Sequence, residues 1–143
     1  MKVIENILIK VSPDRLFSYL MDVDNRKNYI PALEKVIMLD PKPIREGSRY
    51  IEVANIAGKR LETTYQVIAL ETNKRITAQT LKSVFPIQAD LTLIDNGAGA
   101  KMTIQLNFKL NGVFRLASGV VRSIVSKQAK DILENIKQAM ENE

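Results

Sequence analysis

The stretch spanning residues 112–142 constrains this chain more than any other. At roughly 100° per residue its apolar side chains gather into one stripe. Phe114, Ala117, Val121, Ile124, Val125, Ile132, Ile136 and Ala139 form that stripe, and Arg122, Lys127, Lys130, Glu134 and Lys137 lie across from it. The pattern predicts one surface helix with a buried face. At 1.5 Å per residue it would be about 45 Å long. A helix of that length spans a whole small domain, so a sheet must curve around it. Gln128 and Asn135 fall on the stripe, where an amide without a partner costs ~1–3 kcal/mol. Gly119 sits mid-helix, at a cost of about 1 kcal/mol relative to alanine. Leu116 and Val120 point off the stripe. The helix start is therefore apolar nearly all round, either tucked under a loop or walling the mouth of a cavity.

Everything before this helix reads as short strands with a helical interruption. Residues 2–11 alternate, with Val3, Ile7, Ile9 and Val11 on one face, as in a half-buried strand. Glu5 shares that face and is expected near the strand's exposed start. Ser12-Pro13-Asp14 opens a helix: Ser caps, Pro suits the first position, and Asp suits the positive end of the dipole. Leu16, Phe17 and Leu20 are its apolar face. Asp22-Val23-Asp24-Asn25 then breaks the chain and caps a second short helix. That helix must stop by Ile30, because Pro31 disfavours a helical residue before it.

From Leu33 onward the period becomes two. Strands are expected at 34–39, 47–56, 59–70, 75–82, 87–94 and 101–110. A hairpin is expected about Asn55-Ile56-Ala57-Gly58, and the clearest turn is Asn96-Gly97. In the last strand Met102, Ile104, Leu106, Phe108 and Leu110 face one way and Lys101, Thr103, Gln105, Asn107 and Lys109 the other. One dry and one wet face indicate an antiparallel sheet. The order predicts an α+β fold in one domain over residues 1–143. Two short helices follow the first strand, and a curved sheet of six to seven antiparallel strands wraps a long C-terminal helix.

The chain has no cysteine and no histidine. That excludes disulfides, thiolate nucleophiles and Cys-ligated metals, together with Ser-His-Asp or Cys-His sites within the chain. It also removes the commonest metal ligand, so no metal or cofactor is expected. Any catalysis would use carboxylates, Lys, Arg, Tyr or bound water. The net charge of +5 permits contact with nucleic acid or an anionic membrane. Yet the cations are scattered, with the closest pairs at Lys59-Arg60 and Lys74-Arg75. There is no basic run and no RNA-stacking aromatic motif, which argues against nucleic acid as a partner. No apolar run reaches the length of a membrane span. The first ten residues are interrupted by Glu5 and Lys10 and do not read as a signal peptide. A cytoplasmic location is the expectation.

The segment Ile9-Lys10-Val11-Ser12-Pro13-Asp14-Arg15-Leu16-Phe17, followed by Leu20-Met21-Asp22, resembles the strand-into-helix signature of the START-like superfamily. This is the Bet v 1-like, helix-grip or SRPBCC superfamily. Tyr29-Ile30-Pro31 stands where its members usually carry an aromatic residue and Pro. Gly47-Ser48-Arg49-Tyr50 resembles the glycine opening its third strand. The pattern continues through Thr64-Tyr65-Gln66-Val67 to Gly99-Ala100-Lys101-Met102-Thr103, covering essentially the whole chain. It is closest to the polyketide cyclase/dehydrase and lipid-transport branch. Tryptophan, frequent after the first helices in this family, is absent, and Tyr29 stands there instead. The resemblance implies a deep cavity between sheet and long helix. Members bind sterols, lipids, quinones, polyketides or plant hormones, and some are cyclases.

Such a cavity would be lined by Tyr29, Tyr50, Tyr65, Ile76, Ala78, Leu91, Met102, Ile104, Leu106 and Phe108, and by Phe114, Ala117, Val121 and Ile124 of the long helix. Without the resemblance, the same residues would equally make a solid core. Tyr65 is the best polar handle, since a buried phenol needs a partner: a ligand oxygen, Gln128 or the backbone. Glu52, in register with Tyr50 and Ala54, can turn inward. Arg75 and Gln128 are further polar handles, whereas Asp90 is expected in solvent. Three functions follow, in this order. The first is binding or transport of a hydrophobic small molecule, lipid-, polyketide- or quinone-like. The second is a metal-independent cyclase or dehydratase acting on a polyketide-like substrate, with Tyr65, Glu52 or Arg75 moving protons or stabilising an enolate. The third is a ribosome- or protein-interaction module. Leu116 and Val120 would otherwise suit a homodimer patch.

Overall fold

Alternation of apolar and polar residues produces seven strands: β1 (Lys2–Ile9), β2 (Leu33–Met38), β3 (Arg49–Ile56), β4 (Lys59–Glu71), β5 (Arg75–Leu81), β6 (Ile87–Asp95) and β7 (Ala100–Phe108). Between β1 and β2 lie α1 (Pro13–Met21), a 3₁₀ turn (Val23–Asn25) and α2 (Arg26–Tyr29). After β7 come a second 3₁₀ turn (Gly112–Arg115) and α3 (Ser118–Glu141). This computed structural model describes residues 1–56, 58–83 and 85–142. Ala57 of the expected hairpin therefore lies outside the described residues. Among those described, no helix is long and apolar enough to cross a membrane.

The strands form one antiparallel sheet in the order β1-β7-β6-β5-β4-β3-β2. From β2 onward each strand pairs with its successor, and β1 closes the series against β7. Register shifts between Leu33 and Lys35 and between Val67 and Ala69 mark bulges, which bend a strand and strengthen its twist. The bent sheet curves around α3, as expected.

The first helices follow local chemistry with one exception. Pro13 occupies the first position of α1, and Leu16, Phe17 and Leu20 are buried. Ser12 makes no side-chain cap; its carbonyl instead accepts from the Leu16 N–H at 3.1 Å. Asp22 Oδ1 does cap the next turn, accepting from Asp24 N–H at 3.1 Å. Ile30 is extended (φ −93°, ψ 115°), as a residue before proline prefers to be.

The C-terminal helix starts later than the sequence pattern suggests. Ala117 (φ −101°, ψ 19°) is not α-helical, and the 24 residues that follow make a helix about 36 Å long. The preceding 3₁₀ turn winds more tightly than an α-helix, so 112–117 do not continue the stripe. Ala129, Leu133, Ile136 and Met140 are the buried face. They pack with Ile9, Leu16, Leu20 and Met102 in the main core. The first half of α3 meets protein along one flank only. There Val121 and Val125 pack on a satellite cluster of Val3, Phe108 and Leu110, leaving Val120 and Ile124 outside.

A series of polar contacts ties α3 along the edge strand β1. Arg122 Nη1 donates to the Lys2 carbonyl at 2.8 Å. Ser126 Oγ donates to Glu5 Oε1 at 2.8 Å. Lys137 Nζ donates to the Leu8 carbonyl at 3.0 Å, and the Lys10 N–H donates to Glu141 Oε2 at 2.9 Å. Glu5 is thus not at an exposed strand start; it faces α3 mid-strand and takes up a serine hydroxyl. The helix also covers an edge that would otherwise offer free backbone groups.

Two glycines make opposite predictions. A Cβ on Gly99 would collide with the Ile9 carbonyl oxygen, because the β6–β7 turn crosses the end of β1. Gly99→Ala will cost about 1–3 kcal/mol in urea unfolding. Gly119 has open space around it within α3, so Gly119→Ala will add up to ~1 kcal/mol.

Candidate functional site

Where the middle of the sheet faces α3, the residues are too small to meet. Ala78 of β5 and Ala89 of β6 are direct cross-strand partners. Ala129 of α3 borders the same space, a cavity of about 200 Å³. That is below the ~300–1,000 Å³ common for drug-sized ligands. Ile76, Ile87, Leu91, Met102, Ile104 and Leu106 line it from the sheet, and Val125, Gln128, Ile132 and Ile136 from α3. Its other end is polar, built by Arg26, Tyr29, Tyr50, Glu52 and Tyr65.

The polar end is organised by a pair spanning α2 and β3. Arg26 Nε and Nη2 both donate to Glu52 Oε2, at 2.8 and 2.6 Å. The guanidinium also lies 5.3 Å from the centroid of the Tyr50 ring, an attractive cation–π placement. Tyr50 in turn stacks on Tyr65, centroids 5.6 Å apart and planes 16° from parallel. Tyr29 is fixed from behind: Asn135 Nδ2 of α3 donates to its carbonyl at 3.1 Å. Its hydroxyl, however, is buried with no hydrogen-bond partner, a costly state for a polar group.

These environments set the protonation states. Burial pushes the Tyr29 phenol up to about 12, with Glu52 adding to the shift and Arg26 opposing it. Burial likewise raises Tyr65 and Tyr50, again with a contribution from Glu52. Burial works against the Arg26 charge, but Tyr50 and Glu52 beside it hold its pKa well above the usual value. At neutral pH the site therefore presents protonated phenols beside a mutually neutralised ion pair. It can donate hydrogen bonds to an oxygen. It has little capacity to remove a proton, since the phenols are held neutral and the carboxylate is engaged.

Of the residues anticipated from sequence, Tyr29, Tyr50, Tyr65, Ile76, Ala78, Leu91, Met102, Ile104, Leu106, Glu52 and Gln128 surround this one space. The others lie elsewhere. Phe108 is buried in the satellite cluster, against which Val121 also packs. Phe114 packs edge-on against Phe85, centroids 4.9 Å apart. Ala117 precedes α3, and Ile124 faces outward. Arg75 is turned away because side chains alternate along a strand and its neighbour Ile76 points in. Arg75 Nε instead donates to Asp90 Oδ1 at 2.7 Å, and the Thr77 hydroxyl donates to the same oxygen. Asp90 is thus paired rather than simply solvated.

Sequence reasoning missed Arg26, Ile30, Ile87, Ala89, Val125, Ala129, Ile132 and Ile136 as cavity residues. Ile87 and Ala89 share the parity of Leu91 and were within reach of the same alternation argument. Arg26 had one available signal: an inward Glu52 requires a cation, and α2 carries the candidates.

A curved antiparallel sheet closed on a terminal helix, with an apolar space between them, defines the helix-grip class. The chain belongs to the polyketide cyclase/dehydrase and lipid transport family, whose model matches residues 1–141. Solved structures agree on the fold at low identity. TTHA0849 from Thermus thermophilus superposes with a TM-score of 0.83 at 16% identity, over 99% of this chain and 98% of that one. A START superfamily protein from Mycobacterium smegmatis gives 0.79 at 14%, over 99% and 97%. The Zhui aromatase/cyclase from Streptomyces sp. R1128 gives 0.78 at 14%, over 99% and 94%. No curated protein matches the chain.

The ion pair supplies a test of the polar end. Both partners are largely buried, with side chains 18% and 13% exposed. Arg26→Met strands the Glu52 carboxylate and will cost about 3 kcal/mol of stability. Adding Glu52→Met will recover most of that loss, a coupling that a double-mutant cycle in urea will read.

Proposed function

We propose that the protein binds or carries a small, largely apolar molecule bearing one neutral oxygen at one end. The observation that supports this reading most is the Tyr29 hydroxyl, buried and unpartnered at the polar end of the cavity. A ligand hydroxyl or ketone at that end would supply the missing hydrogen bond once the Tyr29 ring turns slightly toward the cavity, while the alanine- and isoleucine-lined remainder takes up the apolar body. A volume near 200 Å³ is that of about seven waters at ~30 Å³ each. It suits one or two fused rings of quinone or polyketide type better than a long acyl chain.

The charge pattern favours a neutral head. Arg26 is already neutralised by Glu52, so a carboxylate ligand would find no free cation to pair with and would lose its own hydration. The same pattern ranks binding above the cyclase reading. Proton abstraction needs a group that is ionised and unengaged near neutral pH, and these phenols are held protonated. The family's cyclase members keep that reading as the alternative.

Three probes of one size separate these features: 2-naphthol, naphthalene and 2-naphthoate. By fluorescence titration 2-naphthol will bind at least tenfold more tightly than 2-naphthoate. Tyr29→Phe will weaken 2-naphthol by about five- to tenfold, the worth of one hydrogen bond, and leave naphthalene unchanged. Equal binding of naphthol and naphthoate, or indifference of naphthol to Tyr29→Phe, would overturn the proposal.

A further inference from the structure

Beyond the cavity, the end of the molecule built by residues 112–124 and the Phe85 loop presents an unusual surface. Leu116 is 92% exposed and Val113 75%, and Val120, Ile124, Phe114 and Phe85 are exposed beside them. Phe85 and Phe114 meet edge to face, so the loop and the 3₁₀ turn form one apolar patch rather than scattered residues. Large exposed apolar patches mark interaction surfaces.

The charge around the patch has one sign. No Asp or Glu occurs from residue 96 to residue 130, while Lys109 precedes the 3₁₀ turn, Arg115 ends it and Arg122 lies on the first turns of α3. Three further cationic groups come from other elements. Lys82 precedes the Phe85 loop. The N-terminal ammonium donates to the Phe108 carbonyl at 2.6 Å, and the Lys2 backbone accepts from Arg122. Two carboxylates beside α3 are engaged: Glu5 with Ser126 and Asp131 with Lys127.

We propose that this end of the molecule docks on the surface of an anionic lipid bilayer. Apolar side chains flanked by Lys and Arg are the composition that lies at a lipid interface, and juxtaposed cations strengthen attachment to anionic headgroups. Charge decides between this occupant and a second copy of the chain. A two-fold contact places the same patch on both partners and would set Lys109, Arg115 and Arg122 against their own likeness. A bilayer bearing negative headgroups neutralises them instead. The placement also has a use: Ile87 and Val125 belong both to the cavity wall and to the cluster beneath the patch. Docking would set that end of the cavity against the hydrocarbon layer, from which an apolar molecule can enter. The docking itself does not depend on what the cavity holds.

Flotation of the full chain with vesicles tests it. Vesicles of equimolar phosphatidylcholine and phosphatidylglycerol will carry the protein at low salt, and phosphatidylcholine alone will not. Leu116→Ser will weaken binding at least tenfold and Lys109→Gln about threefold. Both variants will keep the parent's thermal midpoint, since each side chain is exposed; Val120→Ser repeats the test should one of them misfold. Raising the salt will release the protein, as screening demands. Failure to float with anionic vesicles, equal flotation with both lipids, or full binding by Leu116→Ser would overturn the proposal. So would a concentration-dependent dimer in sedimentation that Leu116→Ser abolishes, because a second copy would then cover the patch.

Discussion

The attachment of α3 to β1 governs everything else. Polar contacts from Arg122, Ser126, Lys137 and Glu141 reach the strand at Lys2, Glu5, Leu8 and Lys10. They run the length of the strand, so the helix is aligned to one edge of the sheet rather than free to settle into its middle. Apolar burial at Leu133, Ile136 and Met140 supplies most of the driving force at the C-terminal half. Burial is not directional, however. The hydrogen bonds set the helix's line, and with it the width of the space beneath.

That space persists because three small side chains border it. Ala78 and Ala89 face each other across β5 and β6, and Ala129 looks back from α3. Protein interiors are close-packed, so an unfilled volume at the centre of a sheet is a cost that larger residues would remove. The polar end repeats the logic. Arg26 and Glu52 neutralise one another, Tyr50 lies under the guanidinium, and Asn135 holds the Tyr29 backbone. Among the described residues the Tyr29 hydroxyl is left buried without a partner. An apolar gap and an unmet hydrogen bond at its end are the two features on which the proposed binding of a small molecule rests.

Much of the fold was legible because its signals are local. Alternation in Met102–Leu110, Pro31 after α2 and the Asn96-Gly97 turn each act over a few residues, and each stands as read. The helix stripe was legible in period but not in phase, because the 3₁₀ turn at Gly112–Arg115 breaks the winding and only one flank of the first half of α3 meets protein. Ile124 and Phe114 were misplaced for that reason. Glu5 and Asp90 were misread for another. Their partners, Ser126 and Arg75, are set by tertiary register, which no window of neighbouring residues contains. Arg75 shows that parity outranks chemistry: a cation next to an inward isoleucine points outward. Ala78 was read as a lining residue, but Ala89 and Ala129 were missed because a small residue is informative only once its facing neighbours are known.

Between α3 and the sheet lies space that side chains leave unfilled, and one substitution tests this directly. Ala89→Leu puts a larger apolar group into the gap, to be followed by its thermal midpoint and by uptake of an apolar probe. A real cavity predicts a gain in stability of about 0.5–2 kcal/mol together with loss of probe binding. A loss of about 1–3 kcal/mol, the usual result of overpacking a filled core, with probe binding unchanged, would contradict it.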